Sequence, residues 1–192
     1  MESRTCQGCG QSMKLYREGA KTCSPKCRKR VSRMAKSGAF PAEMTEKLRW
    51  IRRTATKRPV TVSGLSASST NAETWSSFAE ASASTAGVSM GYVLGDGVGC
   101  IDLDHCITGG VVADWARRIL DQCPPTFIEV SQSGTGLHIF GLLPEGAGRN
   151  IRRNGTAVEF YSTGRYIAVT GNKFEDSPSV LADLSEVVAS IV

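Results

Sequence analysis

The run GVGCIDLDHC carries two aspartates, Asp102 and Asp104, with only Leu103 between them. The residues ahead of them read as an apolar strand, where a desolvated carboxylate is costly unless a cation compensates it. Period-two alternation puts both aspartates on one face, with Ile101, Leu103 and His105 on the other. Their Cα atoms are then roughly 7 Å apart, close enough for both side chains to reach one divalent ion or a pair of ions. The glycines of Gly95-Asp96-Gly97-Val98-Gly99 do not make a dinucleotide fingerprint, because a strand and not a helix follows them. A hairpin with Asp-Gly at its tip and VGCIDLD as the returning strand fits better.

A second group is SQSGTGLHIFG, residues 131–141. Ser131, Ser133, Gly134, Thr135 and Gly136 form a small-residue turn whose backbone N–H groups can approach an anion, and His138 opens the next strand. Hydroxyl and N–H donors beside a histidine are what a phosphate tail requires. A third is AVEFYSTGRYIAVTG, residues 157–171. Glu159 sits among apolar strand residues and needs a partner: either a salt bridge to Arg165, or a cation shared with the aspartates, with Arg165 then free for phosphate.

The N-terminus holds Cys6, Cys9, Cys23 and Cys27, spaced C-x2-C and C-x3-C around a short loop. Two such pairs can set four thiolates around a tetrahedral Zn²⁺, with Gly8 and Gly10 allowing the tight knuckle. Ser24-Pro25 reads as a helix start, and the helix would run through CRKRVSRMAK to about residue 36. Cys100, Cys106 and Cys123 are too irregularly spaced for a second metal site with His105 and read as core thiols. Trp50 and Trp75 read as packing residues. Arg149, Arg152 and Arg153 fall in a hairpin loop beside Glu159, either solvated or facing a nucleic acid.

The elements that must position these groups change character along the chain. The 192 residues are 41% hydrophobic and 21% charged, an ordinary soluble composition. No apolar run approaches the ~18 residues of a membrane span, and the polar, basic start is no secretory signal, so a cytoplasmic location is expected. Residues 1–60 carry 16 Lys and Arg against 4 Asp and Glu, and residues 61–192 carry 7 against 14. A basic front on an acidic body suits contact with nucleic-acid phosphates at the front. Met44, Leu48 and Ile51 at helical spacing predict a helix over about 42–56, and others are expected near 72–83, in VVADWARRILDQ, and near 180–191. Between them lie short strands: VSMGYVL, VGCIDLD, TFIEVS, LHIFGLL, AVEFY and RYIAVT. Strands with few helices predict an α+β fold on a mixed sheet.

In chain order, DxD, SxSGxGxH and the apolar-flanked Glu159 with its downstream Arg165-Tyr166 resemble the three motifs of the archaeo-eukaryotic primase superfamily. The closest likeness is to the primase-polymerase branch of phages and plasmids. The segment KRPVTVSGLSASSTNAETWSSF is similar to that branch's leading region, with its Lys-x-Pro and Thr-Trp-x-x-Phe. The resemblance spans about residues 50–175. It implies an RRM-like catalytic core over 57–192, while the cysteine spacing and the apolar periodicity set a zinc-binding module at 1–37 and a linker helix at 38–56 ahead of it, the module having no counterpart in the family's usual layout. It implies a DNA primase/polymerase in which Asp102, Asp104 and Glu159 hold two Mg²⁺ or Mn²⁺ ions. His138 would touch the incoming nucleotide's phosphates, with Ser131, Ser133, Gly134, Gly136 and Arg165 around it. The implied partners are a single-stranded DNA template, NTPs and dNTPs, and a separate replicative helicase, in the host cytoplasm if the gene is a phage's. Two other readings are an inactive zinc-finger nucleic-acid-binding protein and a metal-dependent nuclease. Clustered carboxylates with His138 argue against the first, and the phosphate turn with Arg165 suits a nucleoside triphosphate better than the second.

Overall fold

The computed structural model describes residues 16, 17, 20, 22–26, 28, 40–153 and 155–191. The chain divides into two compact units, Met1–Gly38 and Ala39–Val192. In the first, Pro25, Lys26 and Arg28 are helical, and the Arg28 N–H donates to the Ser24 carbonyl at 2.9 Å. Of the four expected zinc ligands Cys23 is described, and Cys6, Cys9 and Cys27 lie outside the described residues.

The second unit runs α1 (Ala42–Thr45), β1 (Trp50–Arg53), β2 (Pro59–Val60), a 3-10 turn (Ala72–Thr74), α2 (Phe78–Ala83), β3 (Ser89–Val93), β4 (Val98–Leu103), β5 (Ile107–Thr108), β6 (Val111–Val112), α3 (Asp114–Leu120), β7 (Ile128–Val130), β8 (Leu137–Leu142), β9 (Arg149–Arg153), β10 (Thr156–Tyr161), β11 (Tyr166–Ala168) and α4 (Ser185–Ile191). The strands form a four-stranded sheet, β11-β3-β1-β2, a five-stranded sheet, β7-β8-β4-β10-β9, and the small pair β5-β6. This is an α+β fold, but its sheets are not mixed: every pairing of these strands is antiparallel. Neighbours such as β1–β2, β7–β8 and β9–β10 are joined by short turns, which allow no parallel crossover. Among the described residues no helix is long and apolar enough to cross a membrane.

The helix expected over 42–56 stops at Thr45, and β1 takes its place. Met44 and Ile51 are fully buried, while Leu48 is 69% exposed, so the three do not share a helical face. All four residues of β1 are buried, two of them arginines, which disguises the strand as an amphipathic helix. The helix expected near 72–83 is two pieces. The second is held by a capping box, in which the Ser77 side chain accepts from the Glu80 N–H and Glu80 accepts from the Ser77 N–H.

The Asp96-Gly97 turn forms as expected, with φ of 55° and 82° and reciprocal bonds between Gly95 and Val98. It does not close a hairpin ladder. Beyond Gly95 the strands part, β3 pairing with β1 and β11, and β4 with β8 and β10. His105 also departs from expectation. β4 ends at Leu103, and His105 is exposed with φ of 52°, outside the alternation that buries Ile101 and Leu103.

Two apolar clusters fill the unit. One joins the sheets through Trp50, Tyr92 and Ile167 on one side and Cys100, Phe127 and Phe140 on the other, with Trp50 donating its indole N–H to the Met44 carbonyl at 2.9 Å. The other lies under the five-stranded sheet. There Ile101, Leu103, Leu137, Ile139, Val158 and Phe160 meet α3 and α4 through Ala116, Ile119, Val187 and Ile191. Cys100 and Cys106 are buried in these clusters and Cys123 is half-buried. Burial pushes the thiols of Cys106 and Cys123 up to about 11.

Candidate active site

The registers of the five-stranded sheet line up its chemistry. Glu129 of β7 is opposite His138 of β8, His138 is opposite Asp102 of β4, Asp102 is opposite Glu159 of β10, and Glu159 is opposite Asn150 of β9. Directly opposed residues project to one face, so five strands contribute to one polar row. Two residues back along the strands, the same face carries Phe127, Phe140, Cys100 and Tyr161 against the inter-sheet cluster. Two residues forward it carries Asp104, whose N–H donates to Ala157 at 3.0 Å, and the Ser131–Gly136 end of the β7–β8 turn. The sheet face thus changes from core to polar site within one pleat repeat.

Glu129 and His138 form the buried end of the row. Glu129 is fully buried and accepts from the backbone N–H groups of Thr170 (3.0 Å) and Gly171 (2.8 Å) as well as from His138 Nδ1 (2.9 Å). A carboxylate bound this way holds Nδ1 as the donor and turns Nε2 towards Asp102, whose Oδ1 lies 3.8 Å off. That oxygen is buried and has no hydrogen-bond partner. Burial pushes the Asp102 carboxyl up to about 6; His138 opposes the shift, Asp104 and Glu159 add to it, and Lys57 opposes it. An orphaned, desolvated carboxylate oxygen beside a second carboxylate is an acceptor that a hard divalent cation would satisfy. The cage is not preformed: among the described residues no three of His, Cys, Asp and Glu are gathered into a metal-holding group.

Glu159 is in the row but engaged. It accepts from Asn150, from Arg152 Nη2 (3.3 Å) and from the Tyr161 hydroxyl (2.9 Å). Arg165 does not pair with it directly. Its guanidinium stacks on the Tyr161 ring at 4.3 Å and donates to the Tyr161 hydroxyl at 2.7 Å, so Tyr161 bridges the two. Arg149, Arg152 and Arg153 are not in a loop but on β9, paired to β10. This edge position brings Arg152 to 3.9 Å from Asp104 as well as to Glu159.

The β7–β8 turn is closed by its own bonds. The Gly134 N–H donates to the Ser131 carbonyl (3.0 Å), Thr135 N–H to Ser133 Oγ (3.3 Å) and Gly136 N–H to Ser131 Oγ (3.1 Å). The hydroxyls of Ser131, Ser133 and Thr135 form a chain of 3.1 and 2.8 Å contacts. These N–H groups are therefore spent inside the turn, and hydroxyls are what it presents. At Gly136 a Cβ would sit 2.8 Å from the Leu103 carbonyl, so only glycine lets the turn lie against β4. Trp50 and Trp75 pack as expected, Trp75 donating to the Ser68 carbonyl (2.7 Å) beneath the Arg49 guanidinium.

Sequence reasoning missed Glu129 and Asn150, and set Arg152 beside Glu159 without pairing the two. Glu129 carried the signal used for Glu159, a lone carboxylate in an apolar run, TFIEVS. The contacts of Asn150 and Arg152 with Glu159 follow only from the β9–β10 register.

Residues 31–183 match the family described as "Bifunctional DNA primase/polymerase, N-terminal". A protein described as DNA Primase-polymerase, from Nitratiruptor phage NrS-1, is 34% identical over 137 residues, 66% of this chain and 19% of that protein. The chain thus spans less than a fifth of that relative's length. The match covers all five strands of the polar row, and this chain belongs to the bifunctional DNA primase/polymerase family.

Proposed function

We infer that this chain catalyses template-directed nucleotidyl transfer, making or extending primers on single-stranded DNA from NTPs or dNTPs. The observation that carries this reading is the polar row itself, Glu129–His138–Asp102–Glu159, with the buried Asp102 oxygen left unpaired. The family match and the name of the phage relative support it.

In this reading a 3′-hydroxyl attacks the α-phosphorus of a bound triphosphate and pyrophosphate leaves. Two Mg²⁺ or Mn²⁺ ions held by Asp102, Asp104 and Glu159 would lower the pKa of the attacking hydroxyl and neutralise the leaving group. Glu129 fixes the His138 ring so that its free edge meets a non-bridging phosphate oxygen. Ser131 and Ser133 offer hydroxyls to the phosphate tail, and Arg165, braced on Tyr161, adds charge at the other end of the row. Glu159 must exchange part of its present bonding for a cation, and Asn150 and Arg152 hold its carboxylate until then. The four N-terminal cysteines would bind Zn²⁺ and the basic segment behind them would grip the template. A separate helicase would supply the strand, in the cytoplasm of a phage's or plasmid's host.

The test is synthesis on unprimed single-stranded DNA with all NTPs and dNTPs and Mg²⁺ or Mn²⁺, beside an Asp102→Ala/Asp104→Ala protein. Labelled short products from the wild type alone are expected. Extension of a supplied primer without products on bare template would narrow the activity to polymerisation. No incorporation in either format, with DNA still bound, would overturn the reading.

A further inference from the structure

Residues 61–192 are acidic overall, with 7 Lys and Arg against 14 Asp and Glu, yet three of those seven cations share one side of the five-stranded sheet. Arg118 is on α3, and Arg149 and Arg153 are on β9; all three are exposed. The β9–β10 register sets Arg149, Ile151 and Arg153 opposite Phe160, Val158 and Thr156. Alternation puts them on the side that α3 and α4 pack against, while Asn150 and Arg152 join the polar row on the other. Arg117 is paired with Glu175 and Arg152 with Glu159. Among the described residues Arg118, Arg149 and Arg153 form no ion pair, so this side keeps a patch of uncompensated positive charge.

A cleft of about 280 Å³ opens in this patch. Trp115, Ile119, Ile151 and Ile191 give it an apolar lining, and Arg118 and Arg153 are its charged members. Two of its polar members are spent locally: Ser190 Oγ is 2.8 Å from Gln122 Oε1, and Gln122 Nε2 donates to the Arg118 carbonyl at 3.0 Å. The cleft falls just below the roughly 300–1,000 Å³ of a small-molecule pocket, and its size suits a single large apolar side chain. Beside it the outer edge of β9 is open, since β9 is last in the sheet order and among the described residues pairs with β10 alone. An edge flanked by arginines repels a second copy of itself and admits a strand of opposite charge. The lining is aliphatic apart from the half-buried Trp115, so successive bases have no platform on which to stack.

We propose that this face docks an acidic segment of a partner protein, with one large apolar side chain seated in the cleft and the flanking carboxylates on Arg118, Arg149 and Arg153. The apolar anchor supplies the affinity, and the arginines select an acidic sequence from among other apolar segments. The surface is on the reverse of the polar row. A partner held there leaves the row open, and the proposal does not depend on what the row catalyses.

The experiment is fluorescence anisotropy with the full chain and two labelled short peptides, one with a phenylalanine among aspartates and one with alanine in its place. The basic residues 1–60 attract any anion, so the differences between peptides and between variants carry the result. The wild type should bind the phenylalanine peptide about tenfold more tightly than the alanine peptide. Arg118→Glu/Arg153→Glu should weaken the phenylalanine peptide roughly 10–100-fold and leave the affinity for a single-stranded oligonucleotide unchanged. Equal binding of the two peptides, or no binding of either, overturns the proposal. Peptide affinity that survives the charge reversal overturns it in favour of the basic N-terminal segment. Oligonucleotide affinity that falls in step with peptide affinity overturns it in favour of a nucleic-acid surface. If the reversal does not fold, Arg118→Gln/Arg153→Gln decides by the same readings.

Discussion

Asp102→Asn should make this protein inactive and more stable together. The Asp102 carboxyl sits at about 6 against an ordinary 3.8, chiefly because it is buried, its side chain being 21% exposed. A carboxyl raised on folding binds protons more tightly in the native state than in the unfolded one. Its contribution is therefore fully present below pH 4 and is lost as the pH rises through about 6. At 1.36 kcal/mol per pH unit, the ionised group costs about 2–3 kcal/mol at pH 8 when no cation is bound. Asparagine keeps the shape and never ionises. In EDTA at pH 8 the variant should melt roughly 5–10 °C above the wild type, and the gap should close towards pH 4. Mg²⁺ should then stabilise the wild type and leave the variant unmoved. The assay is thermal or urea unfolding across pH 4–8, with and without Mg²⁺. A variant no more stable than the wild type at pH 8, or a gap that does not change with pH, would refute the argument that Asp102 is held ionised at a cost.

Glu129→Gln keeps one oxygen for the Thr170 and Gly171 N–H groups but turns an amide NH2 towards His138 Nδ1, which loses its acceptor and its negative partner. Urea unfolding should show a loss of about 1–3 kcal/mol, and nucleotide incorporation at saturating dNTP should fall roughly tenfold. An unchanged kcat would make Glu129 a purely structural acceptor. Gly141→Ala should destabilise by about 1–3 kcal/mol, because the new Cβ would fall 2.4 Å from Leu184 Cγ and 2.5 Å from the Ala182 carbonyl. Denaturant titration checks it, and a loss below half a kcal/mol would mean that α4 shifts freely on β8.

Much of the site was legible because carboxylates in apolar strands advertise themselves. Asp102, Asp104 and Glu159 stand out against Ile101, Leu103, Val158 and Phe160 without any knowledge of pairing. Their alignment was not legible, since Asp102 meets Glu159 and His138 only through strands distant in sequence. β1 was misread because the alternation test assumes that charged residues face water, and Arg52 and Arg53 do not. The hairpin tip was right and the hairpin was not: Asp96-Gly97 fixes a local reversal, but which sheet each flanking strand joins is decided by Tyr92, Ile167, Cys100 and Phe140, far apart along the chain. The antiparallel order was likewise set by pairings that no local pattern reveals.

The polar row has a bearing on how errors in folding are disposed of. Its members come from five strands between residues 102 and 159, so the whole row exists only when β4 is paired correctly between the β7–β8 and β9–β10 hairpins. A slip of one residue in β4 would turn Ile101 and Leu103 outward and push Asp102 and Asp104 into the apolar layer beneath α3 and α4. Burying two carboxylates among leucines and isoleucines would leave such a chain unable to hold the sheet together. A misregistered molecule thus falls apart instead of persisting as a folded protein with a faulty polar row, and Asp102 and Asp104 act as the sheet's proofreaders.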